Sequence, residues 1–183
     1  ENTKAMVLNF PGNPMGNMFS EADLKFIVEK ALQYDFCLLS DEIYGALSFS
    51  QPHKSLVSFP EAQDRTLLFD GLSKSHAMTG FRVGWVCGPK DMIQGMVKIH
   101  QYSALCTCSP SQIGAIEALR RGDDEVEEMK RVFNQRRKFC IKRLKEIGIP
   151  CHEPQGAFYI FADISRYGLD DESFCEKLLE SQK

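Results

Sequence analysis

No apolar run in this 183-residue chain is long enough to span a bilayer as a helix, which excludes an ordinary transmembrane segment. The start, Glu1-Asn2-Thr3-Lys4, is polar and no apolar core follows it, so no secretory leader is expected. An excess of either charge is also missing. Lys and Arg number 22 against 25 Asp and Glu, a net charge of −3. Nucleic-acid binders usually carry a basic footprint, so this balance argues against such a partner. The seven cysteines (37, 87, 106, 108, 140, 151 and 175) are odd in number and scattered, and several lie inside apolar runs such as Phe36-Cys37-Leu38. That excludes a disulfide framework and implies reduced, packed thiols in a cytoplasmic protein. Cys106-Thr107-Cys108 matches no zinc spacing, and His53, His76, His100 and His152 share no ligand spacing, so no metal site is expected. The phosphate-loop pattern Gly-x-x-x-x-Gly-Lys-[Ser/Thr] is absent, as are repeats and low-complexity tracts.

What is present is a 43% hydrophobic composition, that of a globular protein with a real core. The first half alternates strands and helices. Ala5–Phe10, Phe36–Leu39, Thr66–Phe69 and Phe81–Cys87 are apolar runs of strand length. Ser20-Glu21-Ala22-Asp23 is a helix-capping signature, followed by Leu24, Ile27, Val28 and Ala31 at helical spacing. Nearly continuous apolar strands alternating with helices predict a largely parallel sheet covered on both faces. Lys90–Ser103 and Ser111–Arg120 read as helices. A long helix is predicted from Asp124 to Ile147, with Val126, Met129, Phe133, Cys140, Leu144 and Ile147 near one stripe, stopped by Gly148 and Pro150. The basic residues of that helix lie among glutamates and read as a solvated face. Cys151–Glu153 and Ala157–Phe161 read as two strands around a Pro154-Gln155-Gly156 turn, and Asp170–Ser181 as a further amphipathic helix.

Three clusters follow predicted strands, where open α/β sheets bind ligands. They are Asn9-Phe10-Pro11-Gly12-Asn13-Pro14-Met15-Gly16, Ser40-Asp41-Glu42-Ile43-Tyr44 and Ser73-Lys74-Ser75-His76-Ala77-Met78-Thr79-Gly80-Phe81-Arg82-Val83-Gly84-Trp85. Singly, each has a bland reading as a turn, a cap or a surface carboxylate. Glu42 is expected to face away from Asp41 as a structural residue, and Phe81 and Trp85 to lie in the core.

In order and character the three clusters resemble those of fold-type I pyridoxal-phosphate enzymes, and within them the class I/II aminotransferases. The resemblance covers nearly the whole chain. It includes Gly156-Ala157-Phe158-Tyr159-Ile160-Phe161, which looks like the start of the family's small domain. It implies an α/β three-layer sandwich with a mostly parallel sheet in residues 1–122, the partial pyridoxal-phosphate-binding large domain. Residues 123–183 would then hold the connecting long helix and part of a smaller α+β domain. The implied cofactor is pyridoxal 5'-phosphate and the implied reaction is amino-group transfer between an amino acid and a 2-oxo acid, in a homodimer.

Residue by residue, Lys74 resembles the Schiff-base lysine. Its amine is nucleophilic once deprotonated and, when freed by substrate, can move a proton at the substrate α-carbon. Asp41 resembles the carboxylate facing the pyridine nitrogen, where an anion keeps that nitrogen protonated. Tyr44 and Asn13 resemble the donors to the cofactor's ring oxygen. Arg82 resembles the phosphate-anchoring arginine, whose guanidinium offers paired donors, and Ser73 would add a hydroxyl. Many relatives place a second hydroxyl three residues before the lysine, where this chain has Gly71. Two alternatives stay open: a carbon–sulfur or aminocyclopropane-carboxylate-synthase-like lyase, and a non-catalytic aminotransferase-like module.

The resemblance also implies parts that should precede Glu1 or follow Lys183. They are a Gly/Ser-rich phosphate loop, an aromatic over the pyridine ring, a tyrosine from the partner subunit and a carboxylate-binding arginine. An uncovered sheet edge and apolar surface are expected in consequence. The purified 183-residue chain is accordingly expected to show little or no transaminase activity. Measurable turnover of an amino acid with 2-oxoglutarate would overturn that expectation.

Overall fold

The computed structural model describes residues 2–182. Four strands form one sheet in sequence order: β1 (Ala5–Asn9), β2 (Cys37–Asp41), β3 (Thr66–Gly71) and β4 (Gly84–Cys87). β1 pairs with β2 and β2 with β3 in parallel, while β4 runs antiparallel to β3. The chain is therefore mixed α/β with a mostly parallel sheet, as expected. The first crossover is α1 (Glu21–Tyr34), entered through a complete capping box. The Ser20 hydroxyl accepts from the Asp23 amide at 3.1 Å, and the Asp23 carboxylate accepts from the Ser20 amide at 2.9 Å. The second crossover, between β2 and β3, uses 3-10 turns in place of a long helix.

Side chains alternate across a strand, so each strand has two fates. Leu8 and Leu38 are buried against Leu24, Ile27, Val28 and Ala31 of α1, and Leu56, Phe59 and Ala62 of the second crossover complete this core. Each Leu, Ile, Val or Phe side chain among them contributes about 1.5–3 kcal/mol when fully buried. On the opposite face Val7 is 71% exposed. Among the described residues this face is left open around Val7, Leu39 and Phe69, which departs from the two-sided cover that the apolar runs predict.

After β3 the chain makes a single helical turn, α2 (Leu72–Ser75), and a 3-10 turn, Thr79–Phe81. Arg82 then adopts a left-handed conformation with φ 52°. That kink delays β4 to Gly84, three residues later than predicted, and leaves Phe81 exposed rather than in the core. Trp85 is half-buried against the cluster of Leu72, Met78 and Ala115. α3 (Lys90–Ser103) and α4 (Ser109–Arg121) follow, and Gly122 separates α4 from α5 (Asp123–Glu146). Along α5, Val126 and Ile141 are buried and Met129 and Phe133 pack inward. Cys140 and Ile147, predicted on the same stripe, are exposed. α6 (Asp171–Ser181) closes the described chain. All seven cysteines are unpaired, but only Cys37 and Cys151 are half-buried; the other five are exposed, not packed. Among the described residues no helix is long and apolar enough to cross a membrane.

The two strands predicted around Pro154 are not formed. Isolated antiparallel bridges, Ser48 with Gly156 and Cys151 with Ala162, take their place. The reason is a competing partner. The amides of Gln155 and Gly156 both donate to the Gly16 carbonyl, at 2.8 and 2.9 Å, and the Ala157 amide donates to the Leu47 carbonyl at 3.0 Å. Ala157 itself is left-handed, with φ 59°, which ends any extended run. This clamp needs bare backbone. A Cβ on Gly156 would lie 2.5 Å from Pro11 Cγ and 3.1 Å from the Leu47 carbonyl oxygen. Gly156→Ala is expected to destabilise the protein by about 1–3 kcal/mol, read as a lower urea midpoint at unchanged slope. An unaltered midpoint would show that the two segments do not dock this closely.

Candidate active site

The parallel register places Asn9 beside Asp41 and Asp41 beside Phe69, so β1, β2 and β3 end together on one side of the sheet. The three sequence clusters leave from these ends, the position where α/β sheets hold ligands. The loop after β1 is tied back at its root. The Phe10 amide donates to the Asp41 carbonyl at 3.2 Å, and the Asn13 amide to Asn9 Oδ1 at 2.8 Å. Asn13 is exposed on that loop.

Asp41 and Glu42 are neighbours in sequence with opposite surroundings, as strand alternation requires. Asp41 is half-buried, and one of its carboxylate oxygens accepts from the Ile43 amide at 3.2 Å. It lines an open hollow of about 420 Å³ with Val7, Leu39, Ile43, Phe69 and Asp70. Glu42 turns into the core on the other side and is 4% exposed. Its carboxylate accepts from Ser40 Oγ at 2.7 Å, Ser55 Oγ at 3.0 Å and the Leu56 amide at 3.1 Å, and meets His53 Nε2 at 2.6 Å. Burial is the largest single influence on Glu42 and acts upward. The hydrogen bonds from His53, Ser40 and Ser55 together outweigh it and hold the carboxyl below the usual range. The structural role expected for Glu42 is what the geometry shows.

Lys74 sits on α2 and is half-buried. Its Nζ lies 6.0 Å from the centre of the Tyr44 ring and 5.8 Å from that of Phe158. Tyr44 is buried and its hydroxyl is 2.5 Å from that of Tyr159. Burial pushes the Tyr44 phenol well above its ordinary pKa, and the bond to Tyr159 and the charge of Asp41 add to the rise. Ser73 and Arg82 are joined through Thr79. The Thr79 hydroxyl donates to the Ser73 carbonyl at 2.8 Å, and Arg82 Nη1 donates to the Thr79 carbonyl at 2.9 Å.

Asp41, Tyr44 and Lys74 are thus gathered at one place, with Asn13 on the adjoining loop and Ser73 and Arg82 on the turn beside Lys74. Three contributors were not singled out by sequence reasoning. Thr79 could have been suspected from its place between Lys74 and Arg82. Tyr159 carried only the Gly-Ala-Phe-Tyr signature, since no local pattern ties it to a residue 115 positions away. Asp70 is a third addition: burial raises its carboxyl, although the Gly71 amide donates to it at 2.7 Å. Among the described residues, no three His, Cys, Asp or Glu side chains gather as a metal-ligand group.

The Glu42 cluster sets a pH dependence. A carboxyl whose folded pKa lies below its unfolded one stabilises the fold above the unfolded value, and that share is lost as pH falls through the folded value. Thermal stability is therefore expected to drop on acidification below the ordinary glutamate range, and Glu42→Gln to flatten that slope. Glu42→Ala, which strands His53, Ser40, Ser55 and the Leu56 amide, should cost about 3–5 kcal/mol. Identical acid profiles for wild type and Glu42→Gln would contradict this account.

Comparison with known proteins identifies the family. The family model for aminotransferase class I and II matches residues 1–183. The chain is 39% identical to the putative aminotransferase YugH of Bacillus subtilis over 183 residues, which is 100% of this chain and 47% of that protein. It is 40% identical to the aspartate aminotransferase of Pyrococcus abyssi over 186 residues, covering 100% of this chain and 48% of the relative. The crystal structure of the aromatic aminotransferase from Pyrococcus horikoshii OT3 superposes with a TM-score of 0.92 at 38% identity, over 97% of this chain and 48% of that one. The chain spans about half the length of the curated relatives it matches. On the family match over its whole length and these identities, the chain belongs to the aminotransferase class I and II family.

Proposed function

We propose that this chain carries the lysine-bearing part of a pyridoxal-phosphate-dependent aminotransferase that moves an amino group between an amino acid and a 2-oxo acid. The observation that carries the reading is the convergence of Asp41, Tyr44 and Lys74 where the parallel strands end. The donor set suits the cofactor. An anionic carboxylate borders an apolar-walled hollow, where a pyridinium nitrogen would be matched. A flexible amine lies between two aromatic rings. An exposed guanidinium stands on the adjoining turn, with paired donors for a phosphate.

When bound, pyridoxal phosphate supplies an electron sink for the substrate's α-carbon. The chain's own residues do the rest. Asp41 would hold a proton at the ring nitrogen. Tyr44 and Asn13 would donate to the ring oxygen. Arg82 and Ser73 would hold the phosphate. Lys74 would hold the cofactor through its side-chain amine, and that amine, when free, would take and return the proton at the substrate α-carbon. We also place the end of the large-domain part at Gly122, where α4 gives way to α5, with residues 123–183 leading into the smaller domain. The homodimer and the small-molecule substrates rest on the family resemblance, and the cytoplasmic location on the unpaired cysteines.

Borohydride reduction of the full-length protein with added pyridoxal phosphate should leave a stable adduct that mass spectrometry maps to Lys74. Lys74→Ala should lose that adduct and lower kcat by about 10²–10⁴-fold. An adduct on another lysine, or on none, would remove the assignment. Product analysis separates the reaction classes: a new amino acid marks transfer, whereas pyruvate with ammonia would mark a lyase.

A further inference from the structure

Tyr159 lies outside the set of groups to which the proposed chemistry gives a task, yet it makes the shortest polar contact at the site. Its hydroxyl is 2.5 Å from the Tyr44 hydroxyl, and the two rings meet edge to face with centroids 5.7 Å apart. Tyr44 is 3% exposed, so its hydroxyl has little access to water and depends on a protein partner. Phe158 closes another side of the Tyr44 ring, at 5.3 Å and 85°. The segment bearing both residues is pinned by backbone bonds from Gln155 and Gly156 to Gly16 and from Ala157 to Leu47. The Tyr159 hydroxyl is thereby held in place by the same clamp that joins the chain after α5 to the strand ends.

We infer that Tyr159 is a positioning residue, whose hydroxyl fixes the orientation of the Tyr44 phenol toward the ligand at this site. A buried phenol oxygen held by a neighbouring hydroxyl is fixed in place, so less ordering is left when a ligand meets it. Either hydroxyl of the pair can be the donor, which leaves the Tyr44 proton free to turn to the ligand. Asp41 and Lys74 are charged groups that also face Tyr44, and Tyr159 is the titratable group across from it. The task given to Tyr159 rests on the proposal that Tyr44 donates to the cofactor's ring oxygen.

Tyr159→Phe removes the hydroxyl and keeps the ring, so a packing role and a positioning role part company. In the full-length protein loaded with pyridoxal phosphate, the pH midpoint of the visible absorption band should rise, because a weaker bond to the ring oxygen stabilises its deprotonated form less. kcat should fall about three- to tenfold, the worth of one such hydrogen bond, with KM within about twofold. In a Tyr44→Phe background the same change should add almost nothing, since the effect passes through Tyr44. Full additivity, or an unmoved midpoint in the single variant, would overturn the inference.

A cofactor-free measurement keeps this outcome apart from failure of the functional proposal. With Tyr carbon-13 labels at Cζ, the Tyr44 resonance should titrate above the ordinary phenol range and move down toward it in Tyr159→Phe. An unchanged Tyr44 titration would sink the role of Tyr159 whatever the cofactor does. A shifted titration with no adduct at Lys74 would preserve the hydroxyl pair and reject the cofactor reading instead.

Discussion

Everything at the candidate site depends on the in-register parallel pairing of β1, β2 and β3. Their shared alignment puts Asn9, Asp41 and Phe69 level with one another. Each strand therefore releases its following segment at the same height, and three stretches far apart in sequence arrive together. A one-residue slip in β2 would exchange the two faces, sending Asp41 into the core and Glu42 into the hollow. The hydrophobic alternation of Leu38 and Leu39 about the α1 contact works against that slip.

The two adjacent carboxylates show how one backbone serves two purposes. Glu42 is surrounded by donors on the buried side, which binds the second crossover to the end of β2. Asp41, one residue earlier, has a single backbone donor and faces open space. The first is structurally saturated, and the second keeps acceptor capacity free for a cation. Cutting the Glu42 cluster would loosen the support directly behind Asp41.

A second constraint joins the later part of the chain to this edge. Gly16 and Gly156 allow backbone to approach backbone where side chains would collide. That approach brings Phe158 and Tyr159 over Tyr44 and Lys74. It also explains why the predicted strands near Pro154 are absent: the amides that would pair along a hairpin are spent on Gly16 and Leu47. The same competition acts before β4, where the 3-10 turn and the left-handed Arg82 hold Ser73, Thr79 and Arg82 together at the expense of strand length.

Much of this was legible in the sequence. Lys74, Asp41, Tyr44, Asn13 and Ser73 follow apolar runs of strand length and Arg82 lies at the start of another, and the alternation of elements implied that strand ends would meet. Phe81 was misplaced because an apolar run cannot reveal a local kink, and the 156–161 stretch because its apolar residues fit a strand equally well. By itself the sequence determined the family, the α/β class and the residue types available for chemistry, since motif order and periodicity are local properties of the chain. Only the tertiary structure decided that Glu42 would be enclosed with His53, that Thr79 would bridge Ser73 and Arg82, and that Tyr159 would meet Tyr44. Tyr159 reaches Tyr44 from 115 positions away because backbone bonds and the lack of side chains at Gly16 and Gly156 let the segments approach; Glu42 meets His53 only because the second crossover folds back on the end of β2; Thr79 bridges a short turn ended by the left-handed Arg82.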